Sequence, residues 1–441
     1  MAPVVFLSIP GLRAQDLQQM SSVRDWLPDR EDRTLIPSFP CVTWPVQTNF
    51  ITGKLARDHG IVANGFFWRD RGEVEMWTAG NAAITSEQIW DSLHQDASPR
   101  TSAVWFPMLS KESGADFVCM PAPIHNPDGS ESLWCYTKPK EFYGELLERF
   151  GQFPLQHFWG PLANIESSKW IAQSSVFAFD KFHPDFFFIY LPHLDYAAQK
   201  FGPESEQAAA AVVELDDVLS ELMTGICKSS EQPPIWIVAG EYAITEVSSV
   251  VYPNRILRDS GWLTIRNEDG LEYLETAASD AWALVDHQCG HVFVRDASES
   301  QVAKVAQLFE KCEGIAEVLV GAARDKYGLD HPRAGEVVLV STPESWQAYY
   351  WWESDALAPK FARNVDIHQK PGYDPVELFF DPVAKGIPLD ASLVRGSHGA
   401  PVTTPQQETT VACSRAGLLG DASLRDTDIA DLIRRALAVG S

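Results

Sequence analysis

The chain lacks any apolar run long enough to cross a bilayer; Phe186-Phe187-Phe188-Ile189-Tyr190-Leu191 has only the length of a buried strand. It has no C-x-x-C pair, and its seven cysteines (Cys41, Cys119, Cys135, Cys227, Cys289, Cys312 and Cys413) are odd in number. That pattern predicts free thiols in a reducing compartment rather than a disulfide framework. Cys41, two residues before Thr43, can line a site there or serve as a small buried filler, and the filler is the preferred reading. Positive charge is scarce: 35 Lys and Arg stand against 60 Asp and Glu, a formal net charge of -25. Such a balance argues against a nucleic-acid polymer or an anionic membrane as partner. Met1-Ala2-Pro3-Val4-Val5-Phe6-Leu7 offers neither a basic n-region nor a long apolar h-region, so no signal peptide and a cytoplasmic location are expected. There is no internal repeat and no low-complexity segment.

What is present is the pattern of a large α/β protein. Hydrophobic residues make up 45% of 441 positions, and that length exceeds what one core normally serves, so a main domain with a smaller insertion is expected. Continuous apolar runs at Val4 to Ser8, Ala103 to Phe106, Asp185 to Leu191 and Ile235 to Ala239 predict strands buried on both faces. Helical patterns at Glu87 to Gln95, Lys140 to Phe150 and Glu204 to Met223 fall between them. This alternation predicts a doubly wound, mostly parallel sheet with its ligand site outside the carboxyl ends of the strands. From Arg255 onward the pattern changes. Strands at Trp262 to Arg266, His291 to Val294 and Glu317 to Val320, with a helix at Gln301 to Cys312, predict a small α/β subdomain over 255–325. It would be inserted between a first part of the main domain (1–254) and its completion (326–441). Ile429, Leu432, Ile433, Ala436 and Leu437 give Asp426 to Val439 a core-packing helical face.

The most informative stretch is Ser38 to Asn64. A turn containing Ser38 and Pro40 delivers the hydroxyl of Thr43 to the start of a helix, where Pro45 suits the first turn. Free N–H groups and the helix dipole favour an anion there. A hydroxyl so placed can attack a phosphoryl or sulfuryl centre, or can simply cap the helix. Pro40-x-x-Thr43-x-Pro45, then Thr52-Gly53, then His59-Gly60-Ile61-x-x-Asn64 resembles the type I phosphodiesterase/nucleotide pyrophosphatase branch of the alkaline phosphatase superfamily, and the resemblance extends over most of the chain. It implies an alkaline-phosphatase-like fold, Thr43 as nucleophile and Asn64 as a donor to a phosphate oxygen.

Members of that family bind two divalent metals through carboxylates and histidines after successive strands. Here the first strand ends Ser8-Ile9-Pro10-Gly11, with Pro10 where the resemblance calls for a carboxylate. Asp195 is retained, but Gln199 stands in the place of a histidine, four residues on. Glu241-Tyr242 replaces Asp-His, and Gly396-Ser397-His398-Gly399 is intact. Three arrangements are compatible with these residues: one metal on Asp195, His398 and Gln199 or Glu241; a second site rebuilt from new ligands; or a metal-free site. An amide ligand such as Gln199 favours Mn or Mg over Zn.

Two further segments carry polar groups. His287 and His291 lie four apart, which shares a face on a helix or a strand. Phe361 to Pro375 is loop-like and supplies Asp366, His368, Lys370, Tyr373 and Asp374; His368, Lys370 and Tyr373 are candidate substrate-binding residues. Trp346, Tyr349, Tyr350, Trp351 and Trp352 can line a cleft or fill a core. The reading is a phosphoester hydrolase acting on a small phosphorylated substrate, with catalytic Thr43 and Asn64 and a remodelled divalent metal site drawn from Asp195, Gln199, Glu241 and His398. Its rivals are a pseudoenzyme that binds a phosphorylated metabolite or a protein, and a transferase or lyase on the same fold.

Overall fold

A computed structural model describes residues 2–96, 98–125 and 131–440. Nine strands form the central sheet in the order Leu424–Arg425, Glu31–Ile36, Thr409–Cys413, Ile235–Gly240, Val4–Ile9, Phe186–Tyr190, Ser102–Trp105, Phe117–Pro121, Cys135–Lys138. The five strands from Ile235–Gly240 to Phe117–Pro121 are mutually parallel, whereas Thr409–Cys413 and Cys135–Lys138 pair antiparallel with their neighbours. The four apolar runs singled out in the sequence are the middle of this sheet. Being covered on both faces, they need no polar alternation.

Side-chain alternation divides the core in two. Val4 and Phe6 pack on one face with Phe50 of the helix Thr43–Thr52, Leu93 of Ile89–Gln95 and Leu432 of Ile429–Val439. Val5 and Leu7 pack on the other with Leu146, Ile171 and Leu219, which belong to Phe142–Phe150, Ile165–Phe182 and Glu206–Ser229. Among the described residues no helix is long and apolar enough to cross a membrane.

A second, antiparallel sheet runs Ala281–Asp286, Cys289–Val294, Val337–Ser341, Ile315–Val320. Its third strand comes from beyond residue 325. The strand expected from Trp262 begins only at Ile265, because the N–H groups of Trp262 and Leu263 bond to Leu257 O and close the helix Pro253–Asp259. The helix expected over Gln301 to Cys312 spans Glu299–Gln307; beyond it the bonds tighten to i→i+3, as in Leu308 N to Val305 O and Cys312 N to Phe309 O. Trp346 and Tyr349 to Trp352 are buried in the core beneath this sheet, so the aromatic run is packing.

Candidate active site

The candidate residues converge at the carboxyl ends of the parallel strands. Thr43 opens its helix, Asp195 lies in the first turn of Leu194–Phe201 after the strand Phe186–Tyr190, Glu241 and Tyr242 follow Ile235–Gly240, and His398 follows Gly396–Ser397. Thr43 is only 5% exposed. Its Oγ1 is 3.1 Å from Tyr242 Oη, which donates to Asp195 Oδ1 at 3.4 Å. The helix has no side-chain cap from Val42; instead Asn64 Oδ1 accepts from Trp44 N at 2.8 Å. That bond satisfies a helix N–H that would otherwise be orphaned, and it settles the amide's orientation: Nδ2 is left as the donor.

The signature around Thr43 is held by a buried relay. Asp426 accepts from Ser38 N, Ser38 Oγ and Asn49 Nδ2 at 2.6–2.8 Å. Asn49 Oδ1 in turn accepts from His59 Nε2 at 2.7 Å, and His59 Nδ1 accepts from Ile61 N at 3.0 Å. Burial, with His331 and Arg333 nearby, lowers the His59 pKa to about 3, so this imidazole is neutral and structural.

Glu241 Oε1 accepts from Ser8 Oγ at 2.6 Å and from Gln47 Nε2 at 2.8 Å, while Oε2 is buried without a hydrogen bond. Burial pushes this carboxyl up to about 8, against the opposing bonds from Ser8 and Gln47, and pushes Asp195 up to about 7. Carboxyls titrating near neutrality are what general acid–base chemistry uses.

The family's metal ligands are tested directly by these contacts. Gln199 Oε1 accepts from Tyr373 Oη at 3.0 Å, and the Tyr242 phenol lies flat on the His398 ring at 3.6 Å. Among the described residues no three His, Cys, Asp or Glu side chains converge to hold an ion. The residues therefore do not fit a two-metal set. One donor pair does remain. His398 Nδ1–H donates to Cys41 O at 2.8 Å, which leaves a lone pair on Nε2; that atom is buried without a hydrogen bond and faces Asp195 Oδ1 at 3.8 Å. This pair offers a cation two protein donors.

The other candidates are placed as follows. Tyr373 joins the site and stacks on His287 at 3.7 Å, with Trp159 and Trp77 around it. Lys370, 1% exposed, is engaged by Asp374 at 2.9 Å and Glu377 at 2.5 Å; burial alone would lower its pKa, but the two carboxylates raise it. His368 Nδ1 bonds to Met76 O at 3.1 Å beside a groove of about 190 Å³ that Arg71, Glu75 and Thr78 also line. His287 and His291 part company. His291 sits within the strand Cys289–Val294 and contacts Val62 O and Gly335 N, while His287 takes a left-handed φ of 57° in the turn before it and enters the site. Asp286, which sequence reasoning passed over, accepts from Asn64 N, Asn64 Nδ2 and His287 Nδ1 at 2.7, 3.1 and 2.7 Å. The one available signal was its place beside His287 at a strand end.

A doubly wound sheet of this kind, with a threonine-bearing helix start facing strand-end carboxylates, has the architecture of an alkaline-phosphatase-like protein. The chain belongs to the type I phosphodiesterase/nucleotide pyrophosphatase family, whose model matches residues 4–374. An uncharacterised pyrophosphatase/phosphodiesterase of Schizosaccharomyces pombe is 24% identical over 256 residues, covering 57% of this chain and 43% of that protein; the chain thus spans less than half of that relative's length. Phosphonoacetate hydrolase from Sinorhizobium meliloti 1021, solved with phosphonoacetate, aligns over 100% of this chain and 96% of its own at a TM-score of 0.64 and 14% identity. An inactive variant of murine ectonucleotide pyrophosphatase/phosphodiesterase 5, solved with AMP, aligns over 99% and 95% at 0.63 and 13% identity. Both likenesses establish the fold.

Proposed function

We propose that the protein hydrolyses a phosphodiester or pyrophosphate bond in a small phosphorylated metabolite, with Thr43 as the nucleophile. The observation that carries this reading is the buried Thr43 hydroxyl at a helix start, with the Asn64 amide locked beside it by Trp44 N. Tyr242 Oη holds Oγ1 in position. Attack forms the Oγ1–P bond and breaks the bond to the leaving oxygen, and the threonine proton passes to Glu241, a carboxyl poised near neutrality. Asn64 Nδ2 turns its remaining hydrogen to the developing phosphoryl charge. Water then attacks phosphorus and the Oγ1–P bond breaks; Glu241 returns the proton to Oγ1, and the proton that water sheds ends on the oxygen released in the first step. A divalent cation (Mn, Mg or Zn) held by Asp195 and His398 would supply charge neutralisation at the phosphoryl oxygens. Tyr373, with Trp77 and Trp159, gives the organic part of the substrate an apolar wall. A cytoplasmic setting is part of the proposal, supported by seven cysteines that are all free.

The test is elemental analysis of untagged protein beside hydrolysis of bis-p-nitrophenyl phosphate in Mn, Mg and Zn, comparing wild type with Thr43→Ala and Asp195→Ala. Turnover abolished in Thr43→Ala, with bound metal lost in Asp195→Ala, is expected. Turnover that survives Thr43→Ala, or none under any ion, overturns the reading.

A further inference from the structure

The small antiparallel sheet is more than an appendage. The end of its edge strand Ala281–Asp286 and the turn that follows reach into the site at four points. Asp286 accepts from both the backbone and the side-chain amide of Asn64, at 2.7 and 3.1 Å. The same carboxylate accepts from His287 Nδ1 at 2.7 Å, and the His287 ring lies 3.7 Å from the rings of both His398 and Tyr373. Gln288 N donates to His398 O at 3.0 Å. Tyr373 N donates to Val285 O at 3.1 Å, so that Pro371 to Tyr373 runs along the free edge of the sheet. Asp286 is fully buried, and such a group is held in a fold only against a desolvation cost of several kcal/mol, about 1–3 kcal/mol even for a neutral polar group left unpaired.

Resting on the hydrolase reading above, we propose that Asp286 is a positioning residue of the active site. It fixes the Asn64 amide for the phosphoryl oxygen and, through His287, sets the imidazole wall that carries His398. The carboxylate is suited to this in a way an amide is not. Its two oxygens accept from three N–H donors at once, whereas an asparagine in its place offers one acceptor and turns a donor toward the donors of Asn64 or His287. Asn64 Oδ1 is already committed to Trp44 N, so with Asp286 as its second anchor the amide has no rotational freedom left. The residue that touches the phosphate would be Asn64; Asp286 acts through it.

The experiment compares wild type, Asp286→Asn, Asn64→Ala and the double variant in two assays. These are steady-state hydrolysis of bis-p-nitrophenyl phosphate, and binding of orthovanadate by calorimetry. Asp286→Asn is expected to lower kcat by about 10- to 100-fold with KM little changed, because the contact it supports matters chiefly in the transition state. Orthovanadate affinity should fall about tenfold in parallel. The double variant should be no worse than Asn64→Ala, because the two residues act as one unit. Asp286→Ser, smaller than the native residue, repeats the comparison if the amide variant does not fold. Wild-type kcat and orthovanadate affinity in either Asp286 variant overturn the inference, as do losses that multiply with Asn64→Ala. A wild type that binds orthovanadate without turnover, and loses that binding in Asp286→Asn, retains the positioning role and removes only the hydrolase assignment. Wild type that neither turns over nor binds orthovanadate overturns both.

Discussion

The His59 imidazole makes a measurable claim about stability in mild acid. In the fold it is neutral, with Nδ1 accepting from Ile61 N and Nε2 donating to Asn49, and its pKa is lowered from 6.5 to about 3. The unfolded chain therefore binds a proton at this residue wherever the pH lies below 6.5, and the folded chain does not until about pH 3. Stability is lost as the pH falls through that window. Between pH 7.5 and 5.0 the loss from this residue alone comes to about 2 kcal/mol, and it would reach about 5 kcal/mol near pH 3. His291, lowered to about 4, acts in the same direction. Asp195, Glu241 and Asp286, all raised by burial, act in the opposite one, so wild type alone does not isolate the effect. Urea unfolding of wild type and His59→Gln at both pH values, followed by tryptophan fluorescence in EDTA, does. At pH 7.5 the variant should be less stable by about 1–3 kcal/mol for the bond lost at Ile61 N. At pH 5.0 that gap should shrink by about 2 kcal/mol. A gap that stays the same at both pH values would refute the neutral, buried imidazole and with it the relay to Asp426.

Three other outcomes are expected. Gly372→Ala places a carbon 2.3 Å from Val285 O at a φ of 147°; thermal unfolding should show a loss of about 1–3 kcal/mol and a raised KM as Tyr373 shifts. Lys370→Met strands the buried carboxylates of Asp374 and Glu377, and chemical denaturation should show a loss of about 3–5 kcal/mol; unchanged stability would sink the clasp. Tyr242→Phe keeps the ring stacked on His398 but removes the oxygen 3.1 Å from Thr43. Hydrolysis of bis-p-nitrophenyl phosphate should fall by about 10- to 100-fold, with Tm held, at roughly 1.4–2.7 kcal/mol in the barrier.

The fold was legible where burial speaks through composition. Strands covered on both faces, such as Phe186–Tyr190, read as unbroken apolar runs, and the β/α alternation follows from them. Edge strands did not stand out: Glu31–Ile36, with its charged and half-exposed residues, has no such run. Thr43, Asn64, Asp195, Glu241 and His398 lie together at the carboxyl ends of the strands. Asp286 did not stand out beyond its place beside His287, because its partner Asn64 lies 222 positions away and no local pattern encodes a contact of that range. The pair His287 and His291 misled through spacing, since a positive φ at His287 breaks the periodicity that four-residue spacing assumes.

The bonds that knit the site together span most of the polypeptide: Asn64 to Asp286 over 222 positions, Ser8 to Glu241 over 233 and Cys41 to His398 over 357. Contacts of such separation close late, because the chain must first surrender the entropy of large loops. At synthesis rates of about 5–20 residues per second, Thr43 leaves the ribosome roughly 20 s or more before His398 does. Until then the nascent chain carries the Thr43 hydroxyl without the imidazole that leans on Cys41 O. Completion of the site therefore waits for the last tenth of translation, which delivers His398 and the core helix Ile429–Val439 together.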